Sequence, residues 1–203
     1  MWRTAIASDS YRDATEDRAA TFGSFTVVAD GVGGRAGGGA AADAVMNAVR
    51  VLADQPLHPW DRVQWMVELD RRMAESGAVG ETTALVVHLT HIGPIGVAVG
   101  DSVAWWVTGD EWGELTTAAK MKPWVGTGGA VPVPFSKPLQ SVGTLLIATD
   151  GLVKYSSAER IVNVIRTTPF DDTPRALIEL VRPPTGSGRL PDDVAVIVAR
   201  WEK

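Results

Sequence analysis

The stretch Val27-Val28-Ala29-Asp30-Gly31-Val32-Gly33-Gly34-Arg35-Ala36-Gly37-Gly38-Gly39 constrains the chain more than any other. A β-branched apolar run ends in Asp-Gly, five more glycines crowd the next eight residues, and an alanine-rich amphipathic segment follows. That order reads as a buried strand, a tight glycine loop and a helix. It places a carboxylate at the end of a stiff support, and glycine lets the backbone approach whatever that carboxylate holds. A hairpin turn is the plainer reading of Asp-Gly. The helical spacing across 40–54 weakens it, because a hairpin is followed by a second strand.

The same periods organise the rest of the chain. Trp2–Ser8 reads as a strand with Phe25–Ala29 as its neighbour, and the polar segment 9–18 between them reads as a loop. Ala41, Val45, Val49 and Leu52 repeat at helical spacing over 40–53, as do Val63, Met66, Val67 and Met73 over 61–76. Two such helices, each with one apolar face, suit a layer packed on a sheet, with Trp60 and Trp65 as packing residues. Thr82–Leu89, Ile95–Val99 and Val103–Val107 then read as an antiparallel meander broken by glycine turns. Residues 109–144 form an irregular excursion with one strand near Lys122–Val125. Leu145–Ala148 is a buried strand that runs into Thr149-Asp150-Gly151, the second junction of an apolar run with Asp-Gly. Helices are expected at Ser157–Arg166 and Thr173–Val181, a loop at Pro183–Arg189, and a closing strand at Val194–Trp201. One domain with strands inside and helices outside accounts for the 203 residues.

Composition narrows the chemistry. A net charge of -5 argues against a nucleic-acid or anionic-membrane partner. With no cysteine, thiolate metal sites and cysteine nucleophiles are excluded. No run approaches the ~18 apolar residues of a membrane span, and the first residues lack a signal-peptide core, so a cytoplasmic protein is expected.

Acids stand at strand edges or tight turns in five places: Glu16-Asp17, Asp30, Asp101, Asp150 and Asp192-Asp193. Burying several carboxylates together costs several kcal/mol each unless a cation or hydrogen bonds compensate. An all-oxygen ligand set favours Mg²⁺ or Mn²⁺ over zinc. His88 and His91 are too poorly placed, near a strand end, to change that reading, and the layout of an EF-hand is absent. Carboxylates around two hard ions suit phosphate chemistry, because the ions hold the nucleophile and stabilise the apical oxygens of an in-line displacement. An arginine nearby would grip the non-bridging oxygens.

Six motifs in order now carry a resemblance: Arg12-x3-Glu16-Asp17-Arg18, Val28-Ala29-Asp30-Gly31-Val32-Gly33-Gly34, Gly80-x-Thr82-Thr83-Ala84, Val99-Gly100-Asp101-Ser102, Leu146-Ile147-Ala148-Thr149-Asp150-Gly151-Leu152 and Asp192-Asp193-Val194-Ala195-Val196-Ile197-Val198. Together they resemble the metal-dependent protein phosphatases of the PPM (type 2C) family, in its compact bacterial form. The resemblance implies an α+β fold, a four-layer α-β-β-α sandwich of two antiparallel sheets flanked by helices, spanning 1–203 as one domain. It implies hydrolysis of phosphoserine and phosphothreonine on proteins by a metal-bridging water or hydroxide, with two Mn²⁺ or Mg²⁺ ions. By position, Asp30 would bridge the ions, Glu16 and the Gly31 carbonyl would complete one, and Asp150 and Asp192 would hold the other. Asp17 would orient a metal-bound water, Arg12 would bind the substrate phosphate, and Asp101 falls where the family has a ligand of a weaker third ion. The partners implied are a phosphorylated protein and the serine/threonine kinase that opposes the enzyme or that kinase's target.

Three departures qualify this. Val32 stands where some members carry a histidine proposed as general acid, which points to water in that role. Lys154 stands four residues after Asp150, where many members have a further acid, so the third ion is expected to be weak or absent. The flap region at 109–144 is short, which leaves substrate choice open. Two other functions stay in view: a phosphatase-like regulatory or binding domain with weak or no turnover, and a phosphatase of a small phosphorylated molecule.

Overall fold

The computed structural model describes residues 1–11, 15–32, 37–55, 60–77, 80–139, 142–183 and 188–202. Ten strands lie at Trp2–Asp9 (β1), Asp17–Phe22 (β2), Phe25–Asp30 (β3), Ala84–Thr90 (β4), Gly93–Val99 (β5), Val103–Val107 (β6), Trp112–Glu114 (β7), Val133–Ser136 (β8), Thr144–Ala148 (β9) and Val194–Trp201 (β10). Five helices lie at Gly38–Ala53 (α1), Arg62–Ser76 (α2), Asp150–Tyr155 (α3), Ala158–Thr167 (α4) and Thr173–Val181 (α5). Two antiparallel five-stranded sheets have the orders β1-β10-β9-β6-β7 and β2-β3-β4-β5-β8.

The alternation of side chains along each strand builds the layers. Val28, Leu85, Val87, Ala104, Leu145, Ile147 and Ile197 point between the sheets and form the central core. Their sequence neighbours point outward. Val27, Ala29, Val86 and Val97 meet Ala41, Val45, Val49, Met66 and Met73 of α1 and α2. Leu146, Ala148, Val196 and Val198 meet Leu152, Ile161, Ile165 and Leu177 of α3, α4 and α5. Strands covered on both faces need apolar residues at every position, which is why 145–148 and 194–199 read as unbroken apolar runs. The result is the expected α-β-β-α sandwich.

Three local expectations need correction. Trp2–Ser8 does not neighbour Phe25–Ala29: β1 pairs with β10, and β3 lies between β4 and β2, a strand that begins at the end of the segment read as a loop. β2 and β3 form a hairpin whose two-residue loop is Gly23-Ser24, with Phe22 opposite Phe25. The three-strand meander also divides. β5 pairs with β4, but β6 belongs to the other sheet beside β9. The chain changes sheets at Gly100, whose φ of +96° suits glycine. Between 109 and 144 there are two short strands, β7 and β8, one at an edge of each sheet. The segment 122–125 forms only an isolated bridge, Val125 to Thr82. Beyond the expected elements, the chain is helical from Asp150 to Tyr155, forming α3.

Outside the site, Trp60 lies 5.2 Å from Phe25 and 6.1 Å from Trp65, ring centre to ring centre, so both tryptophans are packing residues. His88 stacks on Phe25 at 4.4 Å, and burial lowers its pKa. That ring packs and is no part of a metal-ligating group among the described residues.

Candidate metal centre

The site lies where strand ends of both sheets meet, and hydrogen bonds of the main chain fix each acid. Asp30 ends β3, opposite Asp17 of β2. Its N–H donates to Thr83 Oγ1 at 2.9 Å, and its carbonyl accepts Thr83 N–H and Thr82 Oγ1, both at 2.8 Å. The Thr83 hydroxyl also lies 2.8 Å from the buried Ser102 hydroxyl, one residue after Asp101. Thr83 therefore ties the strand end of Asp30 to the sheet-changing turn that carries Asp101. Asp150 opens α3 directly after β9, and Thr149 locks that junction to β10 by its N–H to Ala195 O (3.0 Å) and by accepting Ala195 N–H on Oγ1 (2.9 Å).

The glycines act by close approach. A Cβ on Gly31 would run into the backbone of Gly38, and one on Gly80 would come within 2.6 Å of the Gly37 carbonyl carbon. The start of α1 is thereby drawn onto the strand end that carries Asp30. Gly33 and Gly34 lie outside the described residues, as does Arg12.

Asp30, Asp101 and Asp150 converge so that one carboxylate oxygen from each lies within 4.8 Å of the others. Burial pushes the Asp30 carboxyl well above the usual carboxylate range, and the charges of Asp17 and Asp150 add to the rise. Asp150 is raised by burial and then by Asp101, with Lys154 acting in the opposite sense. Asp17 is 3% exposed, and its Oδ2 has no hydrogen-bond partner among the described residues. Burial raises its pKa too; hydrogen bonding to Thr149 and Asp30 works against the rise, and the charges of Asp193 and Asp150 add to it. These are acids held together against their own repulsion, with an orphaned buried oxygen behind them. Such a set calls for a cation.

Glu16 and Asp192 are close by but outside this group of three. Glu16 is half-buried, and its carbonyl accepts the Gly31 N–H at 3.3 Å. Asp192 Oδ2 receives the Lys154 ammonium at 3.0 Å, and its Oδ1 receives the Asp193 N–H at 3.1 Å. Asp193 has a role that position alone did not show. Its two oxygens accept Tyr11 N–H at 2.7 Å and Glu16 N–H at 2.8 Å, anchoring the described residues that precede and follow Arg12 in the chain. A second such tie is Asp70 on α2, 3% exposed, whose carboxylate accepts the N–H groups of Gly126, Gly128 and Ala130 at 2.7, 3.0 and 2.9 Å. This fixes the glycine turn after Val125, and Val125 in turn bridges to Thr82 and so to Gly31.

The sequence matches the family model described as Stage II sporulation protein E (SpoIIE) over residues 23–202. The chain belongs to the SpoIIE family. No curated protein matches this SpoIIE-family chain in sequence. In three dimensions it is similar to a bacterial serine phosphatase (TM-score 0.87, 18% identity, covering 100% of this chain and 98% of that one). It is also similar to a serine/threonine phosphatase from Staphylococcus aureus (0.86, 18%, 100% and 96%). A third likeness is the catalytic domain of the serine/threonine protein phosphatase PstP in complex with two manganese ions (0.81, 23%, 98% and 97%). At these identities the likenesses establish the fold, which is that of the PPM phosphatases. Among the described residues no helix is long and apolar enough to cross a membrane.

Proposed function

We propose that this SpoIIE-family chain is a metal-dependent protein phosphatase that hydrolyses phosphoserine and phosphothreonine, working as one domain with a short flap. The observation that carries the reading is the convergence of Asp30, Asp101 and Asp150 from three separate segments, backed by the unpartnered Oδ2 of Asp17. An all-oxygen donor set fits Mn²⁺ or Mg²⁺, the PstP relative has manganese, and the raised carboxyls need compensating charge. Asp30, Glu16 and the Gly31 carbonyl would hold one ion and Asp150 with Asp192 the other, with Asp101 serving a weaker third. When bound, such ions acidify water and neutralise charge that develops on a transferring phosphoryl group.

The chain's own residues do the rest. Asp17, through Oδ2, aligns the attacking water. Arg12, which lies in sequence between the two residues that Asp193 anchors, Tyr11 and Glu16, grips the non-bridging oxygens of the phosphate. Val32 has no proton to offer, so the leaving serine or threonine oxygen takes its proton from water. The partner is a phosphorylated protein set against a serine/threonine kinase, and the cytoplasm suits both.

The test is hydrolysis of an aryl phosphate and a phosphothreonine peptide by chelator-stripped protein, with Mn²⁺, Mg²⁺ or nothing added back. Turnover that requires the ion and is lost in Asp150→Asn and Arg12→Ala supports the proposal. Metal binding without turnover on either substrate would replace it with the regulatory-domain reading. Activity restricted to free phosphorylated metabolites would replace the protein substrate.

A further inference from the structure

Lys154 stands one helical turn after Asp150 on α3, so the two side chains share a face. Its Nζ lies 3.0 Å from Asp192 Oδ2, and the remaining Asp192 oxygen accepts the Asp193 N–H. Both oxygens of Asp192 are thus engaged by donors of this chain, whereas Asp30, Asp101 and Asp150 face one another with ligand atoms gathered. Asp192 is still close enough for its charge to act on Asp150. Resting on the metal-dependent reading above, we propose that Lys154 is a resident counter-cation that holds Asp192 away from the ion centre. The chain then loads its first divalent ion at the position of Asp30, Glu16 and the Gly31 carbonyl, and admits the second, at Asp150 and Asp192, only when that ion displaces the ammonium.

The physical basis is competition for one carboxylate. The ion pair is partly exposed, 52% at the lysine side chain and 39% at the acid, so it is weak enough to open. Hydrogen bonding to Asp192 raises the lysine pKa, so the side chain stays charged wherever the protein is folded and working. Its four-carbon stem lets the ammonium swing aside without moving α3. Once displaced, it remains tethered within reach of a doubly charged ion, so its repulsion persists after the exchange. A lysine here does more than spoil a third ion position, which was the expectation from its place in the sequence: it makes occupancy of the second position stepwise. Ion concentration, rather than ion identity alone, then sets how much of the protein carries both.

The test counts ions directly. Mn²⁺ is titrated into the full chain without substrate, with free Mn²⁺ followed by electron paramagnetic resonance and heats followed by calorimetry. The wild type is expected to show one tight ion and one weaker ion. Lys154→Met is expected to tighten the second on the order of tenfold, as one cation is removed from a partly exposed carboxylate, and to leave the first unchanged. Lys154→Arg, which keeps the charge, is expected to retain stepwise loading, and Asp192→Asn to lose the second ion in either background. Two equally tight ions in the wild type, or a second affinity that Lys154→Met leaves unmoved, would overturn the inference. An Asp30→Asn variant separates this from the broader reading. If that variant binds no Mn²⁺ while Lys154→Met matches wild type, only the lysine's role falls. If it binds Mn²⁺ as the wild type does, the ion centre itself is misassigned and both fall.

Discussion

Asp70 offers a graded test of how the turn after Val125 is held. Its carboxylate takes two N–H groups on Oδ1, from Gly126 and Gly128, and one on Oδ2, from Ala130. A hydrogen bond to a charged group contributes about 1.5–3 kcal/mol, and a buried donor left unpaired costs about 1–3 kcal/mol. Asp70→Ala leaves three donors without partners, so a loss of about 3–5 kcal/mol is expected after partial collapse and entry of water. Asp70→Asn keeps one oxygen, which can serve Gly126 and Gly128, but its amide nitrogen then faces the Ala130 N–H, donor against donor. That substitution should cost about 1–2 kcal/mol. Urea unfolding of the metal-free chain measures both, and the slope with denaturant should stay constant so that midpoints report stability. A loss under about 1 kcal/mol for alanine would refute the reasoning. Equal losses for the two variants would also refute it, because only the count of satisfied donors separates them. The effect should reach the ion centre, since Val125 bridges to Thr82 and Thr82 to Gly31; Mn²⁺ affinity is expected to fall along the same series.

The raised carboxyls set a pH dependence for the metal-free protein. Asp17, Asp30 and Asp150 hold protons more tightly folded than unfolded, so their contribution is fully present below an unfolded pKa of about 4 and falls as pH rises above it, the part from Asp17 and Asp30 being lost through and beyond neutrality. Melting temperature in chelator should therefore drop between pH 5 and pH 8, and Asp30→Asn should flatten the drop; an unchanged slope in that variant would exclude the acid group as the cause. Asp193→Ala removes the acceptor for Tyr11 and Glu16 N–H groups and should raise KM for a phosphopeptide severalfold, with a smaller change in first-ion affinity, in steady-state kinetics with excess Mn²⁺.

Much of the architecture was legible because strands covered on both faces advertise themselves. The runs 145–148 and 194–199 announced their burial, and the helices at 40–53, 61–76, 157–166 and 173–181 appear within a few residues of their expected ends. The same double burial hid which sheet each strand joins. Nothing in Val103–Val107 distinguishes a third meander strand from one that crosses to the opposite sheet, because both surroundings are apolar. The strand Asp17–Phe22 escaped because Asp-Arg-Ala-Ala-Thr-Phe at a sheet edge shows no clean alternation; the available signal was Gly23-Ser24 between two phenylalanines, a known hairpin loop. In the site, the junctions at Asp30 and Asp150 were readable as strand ends, and the gathering of Asp101 with them agrees with its turn position. Asp70 and Asp193 were not readable in these roles, since a carboxylate that collects backbone N–H groups looks, in sequence, like any acid on a helix or loop. Lys154 was noticed for its place but not for its partner, because its reach to Asp192 depends on the meeting of α3 with the start of β10.

The acids come from opposite halves of the sandwich: Asp17 and Asp30 from one sheet, Asp150 from the end of the other, and Asp101 from the turn between them. An ion held there would work as a rivet through two plates whose contact is otherwise mainly apolar, through side chains such as Val28, Leu145 and Ile147, with a few polar ties such as the Trp2 indole N–H to the Thr90 carbonyl. The slip of one plate against the other and the grip on the ion are then a single mechanical coordinate. Distant repacking of that greasy interface is a way of retuning the grip, and any partner that shears the plates has a handle on the chemistry without approaching it.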